Sequence, residues 1–409
     1  MKIRWKQSVG ILGITLCLAG CINNLDADKP KSNGIGANKV LVQPTENQLS
    51  KDHYRAVISN GRYQLGITAS NNNNLSSAGN IHAFEEGLLR IAKGVFPTEQ
   101  YFLQEGQLIN LETMTKWVGR ESENNPDGLN PKLPESATQQ RQAESSSSES
   151  SSAESSSSQS SASNGRGQVI TDAASTPIYL AQIMEKDIMV ETNEGYSLGG
   201  IVIGLAMNSE YDYTDSNGVV HHQEISIGEM RERGKAYANT IVGRLRGTDA
   251  LRNVPISVAI FSQAPANQVV GGTYVLDGIS RMGNSVTDWT EHNENRVLLP
   301  IVNGQGAVDQ YQAFDDFRLK VVNFFPKLNG ITAEALSING GLASLKINIV
   351  TQFYDLTEIT ALTQYVTDVA KATFNDNLEI QVVIQSSEGT EAYLSKPAGS
   401  NQYQSHVFK

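Results

Sequence analysis

Cysteine is almost missing from this chain: 409 residues contain two, Cys17 and Cys21, both within the first 21 positions. The rest of the sequence has no thiol, so its body can hold neither a disulfide staple nor a thiol nucleophile and must stand on a hydrophobic core. Histidine is scarce too, with 6 in the chain. His221 and His222 are adjacent, and on a strand adjacent side chains point to opposite faces, which denies them a shared metal ion. Basic charge is short, with 32 Lys and Arg against 43 Asp and Glu. Removing Lys2, Arg4 and Lys6 with the opening stretch leaves 29 basic residues and moves the net charge from -11 to about -14. Such a balance excludes nucleic acid as a partner, because that binding needs a basic patch to release counterions. No dinucleotide-type GxGxxG, phosphate-binding loop or HExxH string occurs, so no cofactor and no metal are expected, and an enzyme is the weaker hypothesis.

What the sequence does have is a strongly patterned start. Lys2, Arg4 and Lys6 precede an uncharged run from Ser8 to Gly20. That run is shorter than the roughly 20 residues of a membrane-spanning helix, so it reads as an export signal. Leu18, Ala19 and Gly20, followed by Cys21, resemble the bacterial lipobox, in which the cysteine thiol receives a diacylglycerol and signal peptidase II cuts just before it. The competing reading is an ordinary secretory peptide cut after Ala19 or Gly20. Lipidation of Cys21 makes the lipid membrane a partner, since two acyl chains on one residue anchor stably where a single chain is marginal. It places the protein on the outer face of the cytoplasmic membrane of a Gram-positive bacterium.

The remaining chain divides by composition into an α/β (α+β) arrangement. Residues 1–20 are the signal and 21–50 a polar tether, followed by an N-terminal part of the body at 51–135. A serine-rich linker spans 136–168, an α/β lobe with an extension 169–330, and a second α/β lobe 331–409. In the linker, 12 of the 16 residues from Ser145 to Ser160 are serine, a composition that cannot build a core. The periodicity predicts helices at His82–Lys93, Leu111–Val118, from Ser226 onward, at Tyr311–Phe325 and from Asp355 onward, with a short helix at Ile178–Met184. Strands are expected at Gly199–Asn208, Val254–Phe261, Leu342–Tyr354 and Leu378–Ile384. The result is two strand-helix-strand units with mixed sheets. Asn60-Gly61, between short apolar runs, predicts a hairpin.

The candidate binding patch is Asp288, Trp289 and His292, in a polar stretch flanked by Glu291 and Glu294. Asp315 and Asp316 are neighbours about 100° apart on a helix and do not form a carboxylate pair. A surface ligand-binding or protein-interaction module would have Trp289, His292 and the aromatic helix Tyr311–Phe325 facing a groove between lobes. An envelope hydrolase would need convergent carboxylates, or a histidine and a carboxylate about 3 Å apart.

Long strings are spread along the chain: HAFEEGLLRIAKGVFPTEQYFLQEGQLI (His82–Ile109), GLNP (Gly128–Pro131), IVIGLAMNSEYDY (Ile201–Tyr213), RERGKAYANTIVGRLR (Arg231–Arg246), VPISVAIF (Val254–Phe261), WTEHNENRVLLP (Trp289–Pro300) and EITALTQYV (Glu358–Val366). In these the chain resembles the CamS-type sex pheromone lipoproteins of Gram-positive bacteria. The resemblance implies an extracytoplasmic, lipid-anchored body of two α/β lobes without established catalytic residues. It also implies a second use for the signal: the residues before the lipidated cysteine, here Ile14, Thr15, Leu16, Cys17, Leu18, Ala19 and Gly20, are released by signal peptidase II and further proteolysis as a short hydrophobic peptide. Its implied partner is a peptide receptor on conjugative enterococci.

Overall fold

The computed structural model describes residues 42–68, 74–134, 176–193, 195–214, 218–301, 309–324, 328–352 and 354–408. In chain order the first part contains β1 (Val42–Pro44), β2 (Arg55–Ser59), α1 (Ala78–Val95), β3 (Tyr101–Glu105) and α2 (Leu111–Val118). Beyond the serine-rich segment come β4 (Leu180–Thr192), β5 (Gly195–Met207), the hairpin β6 (Glu210–Thr214) and β7 (Val220–Glu224), α3 (Ile227–Arg246), β8 (Ile256–Ser262), β9 (Thr273–Ser280) and β10 (Thr287–Glu291). Eight of these strands make one mixed sheet, in the order β1-β2-β3-β4-β5-β8-β9-β10. β5 and β8 run parallel across the α3 crossover, and β4, β5 and β9 supply antiparallel neighbours.

Both faces of this sheet are covered. Phe84, Leu88 and Ile91 of α1 pack on Met184, Ile188, Val202, Ala206 and Phe261. On the other face Met114 and Trp117 of α2, with Tyr237, Ile241 and Leu245 of α3, pack on Ile183, Ile201, Ile203 and Val258. This double burial explains a difference from expectation: Ile178–Met184 was predicted as a short helix, and Leu180–Met184 instead opens β4. A central strand buried on both faces loses the alternation that marks half-buried strands, and its continuous apolar run mimics a buried helix turn. The α3 start is as predicted, with the Ser226 side chain accepting a hydrogen bond from the Glu229 amide. Asn60 and Gly61 make the expected tight turn, with φ of 50° and 70°, but the hairpin does not form: the chain beyond the turn touches β2 only at the isolated Ser59–Arg62 bridge, and β2 takes β1 and β3 as its partners.

The second sheet runs β11 (Glu294–Leu299), β12 (Leu328–Ile338), β13 (Gly341–Thr351), β14 (Glu379–Ser386), β15 (Gly389–Lys396) and β16 (Gln404–Val407), each paired with the next. Helices α4 (Gln312–Phe324) and α5 (Leu356–Thr373) pack on it through Phe314, Phe317 and Val321, and Ile359, Leu362 and Val366. β13 and β14 pair in parallel across α5, which is the expected strand-helix-strand unit. Only His292 and Asn293 separate the last strand of the first sheet from the first strand of the second.

Candidate functional site

Cys21, the lipobox residues Leu18, Ala19 and Gly20, and the heptapeptide Ile14–Gly20 lie outside the described residues. Asp288 and Trp289 lie on β10, the edge strand of the first sheet, and His292 follows its end; the three have separate surroundings. Asp288 has φ of 52°, is exposed, and faces Arg281 at 3.9 Å. Its left-handed backbone falls where the β9–β10 register shifts between Thr287 and Thr290.

Trp289 is half-buried against the core under α3, with Lys235 of that helix 5.7 Å from its ring centroid. Gly278 makes room for the indole: a Cβ there would lie 2.7 Å from a ring carbon. His292 bonds to the neighbouring residue, its Nε2 lying 2.6 Å from Asp277 Oδ1. Residues 277 and 278 of β9 point to opposite faces of the sheet. Trp289 and His292 therefore sit on opposite sides of it.

Arg231, at the start of α3, ties this corner together. Its Nε donates to the Val275 carbonyl at 3.1 Å, and its Nη1 pairs with Glu291 at 2.8 Å. The His292 backbone amide donates to the same Val275 carbonyl. Both side chains of the His292–Asp277 pair are about one-sixth exposed. The pair meets the distance a histidine-carboxylate dyad needs, and among the described residues no hydroxyl is hydrogen-bonded to the imidazole. Asp277 and Arg231 were not legible as members of this corner, because they lie on other elements and no local spacing marks them.

Other chemistry-bearing residues resolve into local contacts. The string Gly195–Gly199 has the G-x-S-x-G spacing, but it runs along the start of β5, where exposed Ser197 pairs with Val190. A nucleophile elbow needs a strand-to-helix turn at that serine. His221 stacks on Tyr213, while His222 lies 2.7 Å from Asp212, whose hydrogen bond pushes the imidazole pKa up. Among the described residues no three His, Cys, Asp or Glu side chains gather in a metal-binding arrangement. The aromatic side chains Phe314 and Phe317 of α4 belong to the core of the second lobe and are remote from Trp289, which packs in the first.

The profile of the family described as "CamS sex pheromone cAM373 precursor" matches residues 63–152 and 161–402. This chain belongs to the CamS family. A solved sex pheromone precursor from Lactobacillus salivarius subsp. salivarius UCC118 is 31% identical, with a TM-score of 0.73 over 90% of this chain and 99% of that one. The C-terminal domain of the sex pheromone staph-cAM373 precursor from Staphylococcus aureus has the same fold, with a TM-score of 0.65 at 23% identity over 82% of this chain and 98% of that one. No curated protein matches the chain. The CamS profile begins at residue 63, so membership rests on the body and is independent of the signal-like opening.

Proposed function

We propose that this CamS-family chain is an extracytoplasmic lipoprotein, held on the outer face of the cytoplasmic membrane through Cys21, whose signal peptide yields the hydrophobic peptide Ile14–Gly20. The observation that carries the reading is a combination: a body of the pheromone-precursor family behind a short apolar run that ends in Leu18-Ala19-Gly20-Cys21. Among the described residues no helix is long and apolar enough to cross a membrane, which is compatible with attachment by lipid. The body is assigned no catalytic step, in keeping with a family of precursors.

Two measurements test the two halves separately. Mass spectrometry of the mature amino terminus is expected to find diacylated Cys21, and Cys21→Ala is expected to block lipidation and with it cleavage by signal peptidase II, so that no lipidated mature form accumulates at the membrane. An unmodified Cys21 removes the anchor. Synthetic ITLCLAG is expected to induce clumping of conjugative enterococci that carry the receptor. Thr15, Cys17 and Gly20 make this heptapeptide less purely aliphatic than a run of Leu and Ile, and the absence of any response would remove the signalling half alone.

A further inference from the structure

Glu185 and Asp187 alternate along β4, which puts both carboxyl groups on the same face of the sheet. They are 0% and 3% exposed. A strap, Gly106–Asn110, runs from the end of β3 to the start of α2 directly over them. It presents three consecutive amides: Leu108 and Ile109 donate to the two Glu185 oxygens at 3.0 and 2.8 Å, and Gln107 donates to Asp187 Oδ2 at 3.1 Å. The close approach depends on Gly106, where a Cβ would lie 2.5 Å from Glu185 Cβ. Asp187 Oδ1 is buried and, among the described residues, accepts no hydrogen bond from an N–H or O–H. The Asp187 and Glu185 carboxyl groups are themselves within hydrogen-bonding reach of each other. Two acceptor-only groups in that contact need a proton between them, because two adjacent buried carboxylates cannot both ionise.

We propose that the Glu185–Asp187 pair is a one-proton latch on the Gly106–Asn110 strap, closed while the pair shares a proton and released when that proton is lost. Among the described residues no Lys or Arg is paired with either carboxyl group. Lys186, between the two in sequence, points to the other face and is taken up there by Glu85 of α1 at 2.6 Å and Glu105 of β3 at 2.8 Å. The Tyr63 hydroxyl also bonds Glu105, and Glu105 adds further negative charge towards Asp187. On the next strand the positions opposite Glu185 and Asp187 are Ile203 and Ile201.

Burial first, and the Glu185 charge next, push the Asp187 pKa well above the ordinary carboxylate range. The sign follows. A carboxyl whose folded pKa is raised contributes its full stability below the unfolded value of about 4 and loses it as pH climbs from there through the folded pKa. In that window the opened strap ionises freely, while the closed strap has to keep its proton.

Amide hydrogen exchange on the full mature lipoprotein in detergent, corrected for intrinsic base catalysis, reads the latch directly. Opening at Gln107, Leu108 and Ile109 is expected to rise by about tenfold per pH unit between pH 5 and the pair's own titration, as the linkage of one proton requires. In Asp187→Asn the amide supplies the missing donor permanently, and the same three sites are expected to become nearly independent of pH. Glu105→Gln, on the opposite face, is expected to keep the wild-type slope. A flat wild-type profile overturns the latch, as does an Asp187→Asn profile with the wild-type slope. If Asp187→Asn does not fold, the wild-type profile still decides, together with the infrared band of a protonated carboxyl near neutral pH, whose absence would also overturn the proposal.

Discussion

Asn130 is fully buried and uses its whole side chain. Its Nδ2 donates to the Val118 and Leu180 carbonyls at 2.7 and 2.8 Å, and its Oδ1 accepts from the Tyr179 and Leu180 amides at 2.8 and 2.9 Å. It stitches the segment after α2 to the first residues of β4, across the serine-rich stretch. Asn130→Ala leaves two amides and two carbonyls unpaired in the core and is expected to cost about 3–5 kcal/mol. Asn130→Asp separates the two functions, since a carboxylate accepts from both amides but cannot donate to the carbonyls; it is expected to be comparably severe at neutral pH. Denaturant midpoints at unchanged slope would measure both. The Gly128–Pro131 string was recognisable in the sequence as a family feature. Its role was not, because the partners lie about fifty residues on and nothing local points to them. Glu185 and Asp187 were hidden in the same way: Glu-Lys-Asp is a run of three charged residues with no local mark of burial, and only the strap folding over β4 buries its carboxyl groups.

At the scale of elements, α1 joins the two lobes. One face, with Phe84, Leu88 and Ile91, is core. The opposite side holds Glu86 and Arg90, one turn apart. Glu86 meets Lys346 of β13 at 2.7 Å and Arg296 of β11 at 3.4 Å, and Arg296 also pairs with Glu334 of β12. Arg90 meets Glu294 at 2.5 Å, and the Glu294 carboxylate also accepts from the Tyr274 amide. Burial would raise the Glu86 pKa, but the hydrogen bonds and charges of Lys346 and Arg296 outweigh it and hold the carboxyl below its usual range. A lowered folded pKa contributes stability above the unfolded value and loses it as pH falls through the folded one, so the lobe junction weakens in acid. The strap latch has the opposite sign. Glu86→Gln is expected to cost about 1–2 kcal/mol at pH 7, between the values for exposed pairs and for charged hydrogen bonds in a core. The deficit should shrink towards pH 3, and urea denaturation at the two pH values checks it; a deficit independent of pH would mean that the carboxylate charge is not what holds the junction. The helical periodicity of α1 was legible because its core face repeats every three to four residues. Its second, polar contact face was not, since charged residues on a helix surface look the same whether they face water or another lobe.

The described residues form two large sheets joined by His292 and Asn293, with the small β6–β7 hairpin beside them, and a long serine-rich segment interrupts the sequence of the first. Strand-helix-strand order was legible for both units, because α3 and α5 carry clear apolar stripes between buried strands. The assignment of β1, β2 and β3 to the same sheet as β10 was not, since it depends on pairings more than 80 residues apart, such as Tyr101 with Val190. The ends of the serine-rich segment meet at one side chain: Arg120 donates to the Pro131 carbonyl at 3.0 Å and to the Thr176 carbonyl at 2.8 Å. With the exit and return points already fixed by Arg120 and Asn130, the 41 residues from 135 to 175, most of them the linker expected from the sequence, carry a closure-entropy cost. The CamS profile leaves residues 153–160, inside the serine run, unmatched. Replacing 135–175 by about ten Gly and Ser residues is therefore expected to leave the fold intact and to raise stability by about 1 kcal/mol, the gain from a fourfold shorter loop. Thermal or denaturant unfolding of the shortened chain measures it. A loss of stability would mean that the serine-rich residues hold contacts with the body, and the Arg120 clasp would then be one end of a larger interface.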